Sequence, residues 1–211
     1  PALLAAGLIG ILLYIGNQPE PTRGVQPIVA VEEMEPDSSI WGENFPNQYS
    51  TFLLTGTNET ETEYGGSSGF SHLERDPRQV ILFMGYPFSK EYNDDRGPEF
   101  ALEDVNATRR NSETTHATCY SCKSSNNPAL WDELGLEGYD EMMFAEMKPN
   151  ITESIGCANC HEAGTMRLVL TNPSTIAGFE AQGIDWTTFT RQQMRTVVCA
   201  NCHVEYYMVG E

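Results

Sequence analysis

Apolar positions are spread unevenly along this chain, and no single period runs through it. An uncharged stretch from Pro1 to Ile15 opens the sequence. As a helix it spans about 22 Å, short of the roughly 20 residues that cross a bilayer. Residues 1–16 therefore read as the end of an uncleaved signal-anchor or the apolar part of a signal peptide. Residues 17–46, rich in Pro, Glu and Ser, read as an extended linker. Polar, Gly-rich sequence from Asn58 to Ser71 predicts a loop, and the apolar run Gln79–Met84 predicts one buried strand. Pro98 to about Arg110 has helical spacing at Phe100, Ala101, Val105 and Thr108. Asn172-Pro173 is an N-cap followed by a first-turn proline, with Gly183 as the stop. Thr190-Arg-Gln-Gln193 is a capping box opening a helix through Met194, Val197 and Val198. The pattern predicts a mainly α domain with long loops over 47–211.

Three Cys-x-x-Cys pairs change the picture. Cys119-Tyr-Ser-Cys122 is followed by Lys123, Cys157-Ala-Asn-Cys160 by His161, and Cys199-Ala-Asn-Cys202 by His203. Cys-x-x-Cys-His is the attachment signature of c-type haem: two thioether bonds to the porphyrin, with the adjacent imidazole on the iron. The pairs use all six cysteines, which predicts three covalent haems and a multihaem cytochrome c fold whose helices wrap the porphyrins. A disulfide framework needs no His or Lys after each pair. Four-cysteine zinc sites join their pairs by about 15–20 residues, and the spacing here is roughly twice that.

Composition narrows the partners. A formal charge of −18 excludes nucleic acid, because phosphate binding needs a basic face. It suits docking to a basic patch on a redox partner such as a cytochrome or a quinol dehydrogenase. Covalent haem attachment occurs outside the cytoplasmic membrane, so the expected location is periplasmic or extracytoplasmic, with a possible N-terminal membrane anchor. Only four histidines are present. With His161 and His203 proximal, His72 and His116 are the candidates for distal ligands within the chain.

Lys123 marks an unusual haem. An amine must lose its proton to bind iron, which burial and a nearby cation promote. Cys119-Tyr-Ser-Cys-Lys-Ser124 resembles the active-site motif of the ammonia-forming cytochrome c nitrite reductases, a pentahaem family. The likeness runs from about Trp41 to Glu211, through Trp41–Tyr49, Tyr64-Gly-Gly66, Tyr86–Asn93, Ile155–His161 and Val198–Tyr207.

The resemblance implies that Lys123 is the proximal ligand of the active-site haem, and that His161 and His203 are proximal ligands of two electron-transfer haems. It implies that Arg110, rather than Arg109, is the pocket arginine, supplying positive charge and hydrogen bonds to an anion such as nitrite. Tyr206 is implied as the pocket tyrosine. Glu205, by its side chain, and Tyr206, by its carbonyl, are implied as calcium ligands, hard oxygens suited to that ion.

Two departures stand against this. The family's Arg-Gly-His, whose histidine is the distal ligand of the third-motif haem, here reads Arg96-Gly-Pro98. His72, His116, another chain or an open site must serve instead. The chain also stops roughly where the family is half complete. It is therefore expected to act with further polypeptide, as a homo-oligomer or in complex with another haem-bearing chain. The competing reading is a non-catalytic electron-transfer protein or a subunit of an extracellular cytochrome assembly.

Overall fold

The computed structural model describes Gly7 and residues 27–204, except Tyr64, Ser67, Ser68, Asp95 and Glu113. The proposed anchor at 1–16 lies outside the described residues apart from Gly7, and Glu205 and Tyr206 lie outside them altogether. Among the described residues, no helix is long and apolar enough to cross a membrane.

Short helices joined by long loops build the domain. The predicted linker contains the first of them. Helix α1 (Ser38–Asn44) is capped by Asp37, which accepts a hydrogen bond from the Ser39 amide at 2.8 Å. Trp41 is 1% exposed, and its indole donates to the Glu35 carbonyl at 2.9 Å. Asn44 accepts from the Val29 amide at 3.0 Å and donates to the Val29 carbonyl at 2.9 Å. The segment before α1 is thus held against it. The Pro- and Glu-rich composition masked one buried tryptophan and an Asx cap. Helix α2 (Pro46–Leu53) follows, with its proline in the first turn. The predicted loop over 58–71 holds a two-residue antiparallel pairing, β1 (Glu61–Thr62) with β2 (Gly65–Gly66).

The expected strand at 79–84 is instead a helix. After α3 (His72–Arg75) comes α4 (Arg78–Leu82), begun at Asp76-Pro77, where the Asp76 carboxylate accepts from the Arg78 amide at 3.2 Å. A short apolar run does not carry its own period, so the turn signal in front of it decides. Nor is the run buried: Ile81, Leu82 and Met84 are exposed.

The 98–110 expectation holds as a 3-10 turn (Pro98–Phe100) leading into α5 (Ala101–Ala107), which buries Ala101 and Val105. Proline suits this first position because its fixed φ is already helical and no amide is lost there. The long helix α6 (Asn127–Glu141), broken by Gly135 at φ 70°, and the short α7 (Phe144–Met147) close the main core. Val105, Ala117, Tyr120, Trp131, Tyr139, Phe144, Met147 and Ile151 form that core. Helix α8 (Pro173–Ala181) has its predicted Asn172 cap, and Gly183 follows at φ 69°. Helix α9 (Arg191–Val197) has both hydrogen bonds of its Thr190–Gln193 capping box.

Candidate functional site: three converging Cys-x-x-Cys turns

Each cysteine pair begins on a 3-10 turn: Ala117–Tyr120, Cys157–Asn159 and Val198–Asn201. The last two close in the same way. The Cys157 carbonyl accepts from the amides of Cys160 at 3.1 Å and His161 at 3.0 Å. The Cys199 carbonyl accepts from Cys202 at 3.2 Å and His203 at 2.8 Å. The first motif differs, because the Lys123 amide donates to the Tyr120 carbonyl at 2.8 Å. Tyr120, the residue after Cys119, anchors that turn. It is wholly buried, its ring stacks on Phe144 at 4.2 Å, and its hydroxyl donates to Asn106 Oδ1 at 2.7 Å.

Two asparagines inside the motifs draw the turns together. Asn159 Nδ2 donates to the Ser124 carbonyl, just beyond the first motif, at 2.8 Å. Asn201 Nδ2 donates to the Asn159 carbonyl at 3.0 Å, and Asn201 Oδ1 accepts from the Thr171 amide at 2.9 Å. Both asparagines are nearly inaccessible to solvent. The Cys122 thiol meets the Cys202 carbonyl at 3.4 Å, so an attachment sulfur of the first motif touches the backbone of the third. Asn201→Ala would strand several buried backbone groups. We expect it to cost about 1–3 kcal/mol, seen as an earlier denaturation midpoint together with reduced haem attachment at Cys199 and Cys202.

Burial raises the thiols of Cys119 and Cys157, and pushes Cys160 up to about 11. Contact with Cys202 holds Cys122 down at about 7, with Lys123 adding to the effect against burial. The same contact and burial push Cys202 up. The charge of Lys123 thus acts on sulfurs of the first and third motifs.

The donor set fits covalent haem. All six cysteines are free of disulfides, and each pair is followed by a side chain with a nitrogen donor. His161 Nδ1 lies 3.1 Å from the Met166 carbonyl, a contact that favours the tautomer with its proton on Nδ1, so that Nε2 is the nitrogen a metal would take. Among the described residues, no three of His, Cys, Asp and Glu converge on a metal site.

The two candidate arginines separate. Arg109 Nε is paired with the Glu91 carboxylate at 3.1 Å. Hydrogen bonds from Thr108 and Arg109 hold Glu91 below the usual carboxylate range, although burial works against them. Arg110 turns the other way. Its guanidinium lies 5.2 Å from the Phe88 ring centroid, its Nε is 3.3 Å from Thr108 Oγ1, and its charge, with that of Lys123, opposes the upward push of burial on Cys119.

His72 sits between the rings of Phe70 and Tyr92, with Nε2 3.6 Å from Asp94. That places it on the pairing of Ser71 with Asn93, the segment that leads into Arg96-Gly97-Pro98. His116 is elsewhere: its Nδ1 is 2.8 Å from the Asp140 carbonyl, opposite Met143.

Sequence reasoning missed Asn159, Asn201, Tyr120 and Phe88. The Ala-Asn repeated inside the second and third motifs was the available signal for the first two. Nothing local marked Tyr120 or Phe88, whose roles depend on Asn106, Phe144 and Arg110.

The Cytochrome c552 family pattern matches residues 37–211. The chain is 36% identical over 188 residues to cytochrome c-552 of Bacteroides thetaiotaomicron, covering 86% of this chain and 38% of that one. It is 38% identical over 175 residues to that of Parabacteroides distasonis, covering 80% and 35%. The fold is similar to the cytochrome c nitrite reductase catalytic subunit of Desulfovibrio desulfuricans, whose description names two calcium sites. The TM-score there is 0.77 at 31% identity, covering 85% of this chain and 42% of that one. The chain therefore spans about two-fifths of the length of these relatives. A matched pattern that takes in all three cysteine pairs, and a shared mainly helical fold around them, lead to one assignment: this chain belongs to the cytochrome c552 family.

Proposed function

We propose that this chain is the part of an ammonia-forming nitrite reductase that carries the substrate-binding haem and two relay haems. One observation carries the reading: the Cys-x-x-Cys turn that closes differently from the other two, with the Lys123 amide on the Tyr120 carbonyl, is the one that ends in lysine instead of histidine. An iron ligand of unusual type thus stands at that turn, and Arg110, resting on Phe88 and Thr108, is the cation proposed for its substrate. Haem c, held through Cys119, Cys122 and Lys123, would supply an iron for the substrate and a path for electrons. The protein's tasks are to hold and to protonate. Lys123, once deprotonated, would be the protein's nitrogen ligand to that iron. Arg110 binds the nitrite anion, and its donors meet the negative charge that grows on the substrate oxygens as electrons arrive. Tyr206 donates a proton or hydrogen bond to the reducing N–O group. Glu205 and Tyr206 bind calcium beside the pocket.

The contacts among the three turns support a relay. The Asn159–Asn201 bond and the Cys122–Cys202 contact fix the spacing of the attachment points. His161 and His203 serve the relay haems. Thioether attachment places the chain outside the cytoplasmic membrane, where the acidic surface meets its electron donor. Intact mass should exceed the polypeptide by three haems. A form with zinc and no haem would overturn the reading.

The electron-transfer alternative rests on Pro98, which occupies the place of a distal histidine and cannot bind iron. Lys123→His separates the two functions. A reductase should retain its haem, change its spectrum and lose most nitrite turnover, whereas a pure relay should still pass electrons to an artificial acceptor at the original rate.

A further inference from the structure

The segment after the second motif turns back on His161 in a way the assigned roles do not explain. Chain reversal over Glu162–Arg167 is closed by the Glu162 amide donating to the Arg167 carbonyl at 3.0 Å and by the Met166 amide donating to the Glu162 carbonyl at 2.8 Å. Beyond it, Leu168 pairs with His161, and the Val169 amide donates to the Cys160 carbonyl at 3.0 Å. Met166 takes φ 57°, a left-handed conformation uncommon for a residue with a Cβ. That conformation accompanies the approach of its carbonyl to His161 Nδ1. The loop is gripped from far away in sequence. Both oxygens of the Glu33 carboxylate accept from its tip, from the Ala163 amide at 3.1 Å and the Gly164 amide at 3.2 Å.

We propose that Glu33 and the Glu162–Arg167 turn are the positioning device of the second-motif haem, setting its reduction potential through His161. The proposal rests on His161 being that haem's ligand, but not on the nitrite reductase reading. A carbonyl held on Nδ1–H makes the imidazole a stronger donor, which favours ferric iron and lowers the potential. Glu33 acts at one remove: its two hydrogen bonds stop the loop tip from lifting, so the Met166 carbonyl stays on the ring. Its charge-assisted bonds are of the stronger kind. The N-terminal segment thereby takes part in haem tuning as well as in packing.

Glu33→Ala in the haem-loaded protein tests this. Intact mass and peptide mapping first establish haem on Cys157 and Cys160; if none is there, the ligand reading itself fails. Hydrogen exchange should then show the Ala163 and Gly164 amides losing protection. Potentiometry followed by optical and EPR spectra should show one haem moving to higher potential with altered g-values, while the others stay in place. Glu33→Gln, which keeps one good acceptor, should give a smaller shift. Met166→Gly, which keeps the carbonyl and favours the same backbone, should leave the potential unaltered. Unchanged potentials in Glu33→Ala despite lost amide protection would overturn the proposal and leave the turn a packing feature. Unchanged amide protection would overturn it too, by showing no grip to release.

Discussion

Replacing Arg110 with alanine should lower kcat/KM for nitrite roughly a hundred- to a thousandfold in the haem-loaded, complete protein, the loss expected when one preorganised donor to a developing negative charge is removed. At 1.36 kcal/mol per factor of ten, that is about 2.7–4 kcal/mol. Arg110 rests on Phe88 and Thr108 and is not tied to a carboxylate in the described contacts, so its charge is available to an anion. Its neighbour is the control. Arg109 is held by Glu91, and Arg109→Ala should leave turnover near the original value because that carboxylate already occupies its guanidinium. Steady-state kinetics with a reduced dye as donor would check both variants. A large loss in Arg109→Ala with none in Arg110→Ala would transfer the role to the other arginine.

That distinction shows where the sequence was legible and where it was not. Local signals held wherever one side chain answers its own backbone. The Thr190–Gln193 box and the Asn172 cap formed as expected, since capping depends on residues two or three apart. The helix after Pro98 held for the same reason. Signals failed where a short segment's state is set by what flanks it. Gln79–Met84 became a helix and a turn because Asp76-Pro77 started a helix ahead of it. The Pro- and Glu-rich stretch before Asn47 was read as a linker from its average composition, yet Trp41 buries a whole indole there.

The site divides in the same way. Cysteine spacing announced three attachment turns, but their meeting depends on contacts between Ser124, Asn159 and Asn201 that no spacing rule reveals. Nor does the pair Arg109-Arg110 show in sequence which guanidinium Glu91 will capture. Glu33, more than a hundred residues from the loop it grips, could not have been found without the fold.

Tyr120→Ala should be the most damaging change to the protein itself. Its ring is wholly enclosed, stacked at 4.2 Å and within 8° of parallel on Phe144, in the cluster that also holds Trp131 and Tyr139. Truncating a buried aromatic of this size costs about 3–5 kcal/mol, a transfer loss plus a cavity the neighbours fill only in part. The stack and the hydroxyl bond to Asn106 add to the anchor. Because Cys119 and Ser121 flank this residue, a loosened turn should also impair haem attachment at Cys119 and Cys122. Tyr120→Phe keeps the stack and loses only the hydroxyl. It should cost nearer 1 kcal/mol and retain the haem. Denaturation followed by far-UV circular dichroism would measure both shifts, and mass spectrometry would count the haems. Equal midpoints for the two variants would contradict the assigned anchoring role.

The most direct test of the central claim is the electron and nitrogen balance of the complete, haem-loaded protein given nitrite and a measured supply of reduced dye. Six electrons should be consumed and one ammonium formed for each nitrite, without released nitric oxide or hydroxylamine, and that turnover should be lost in Lys123→His. If that protein carries haem on all three motifs of this chain, accepts and passes on electrons, and leaves nitrite untouched, then Lys123 marks a relay haem and the reductase reading is wrong.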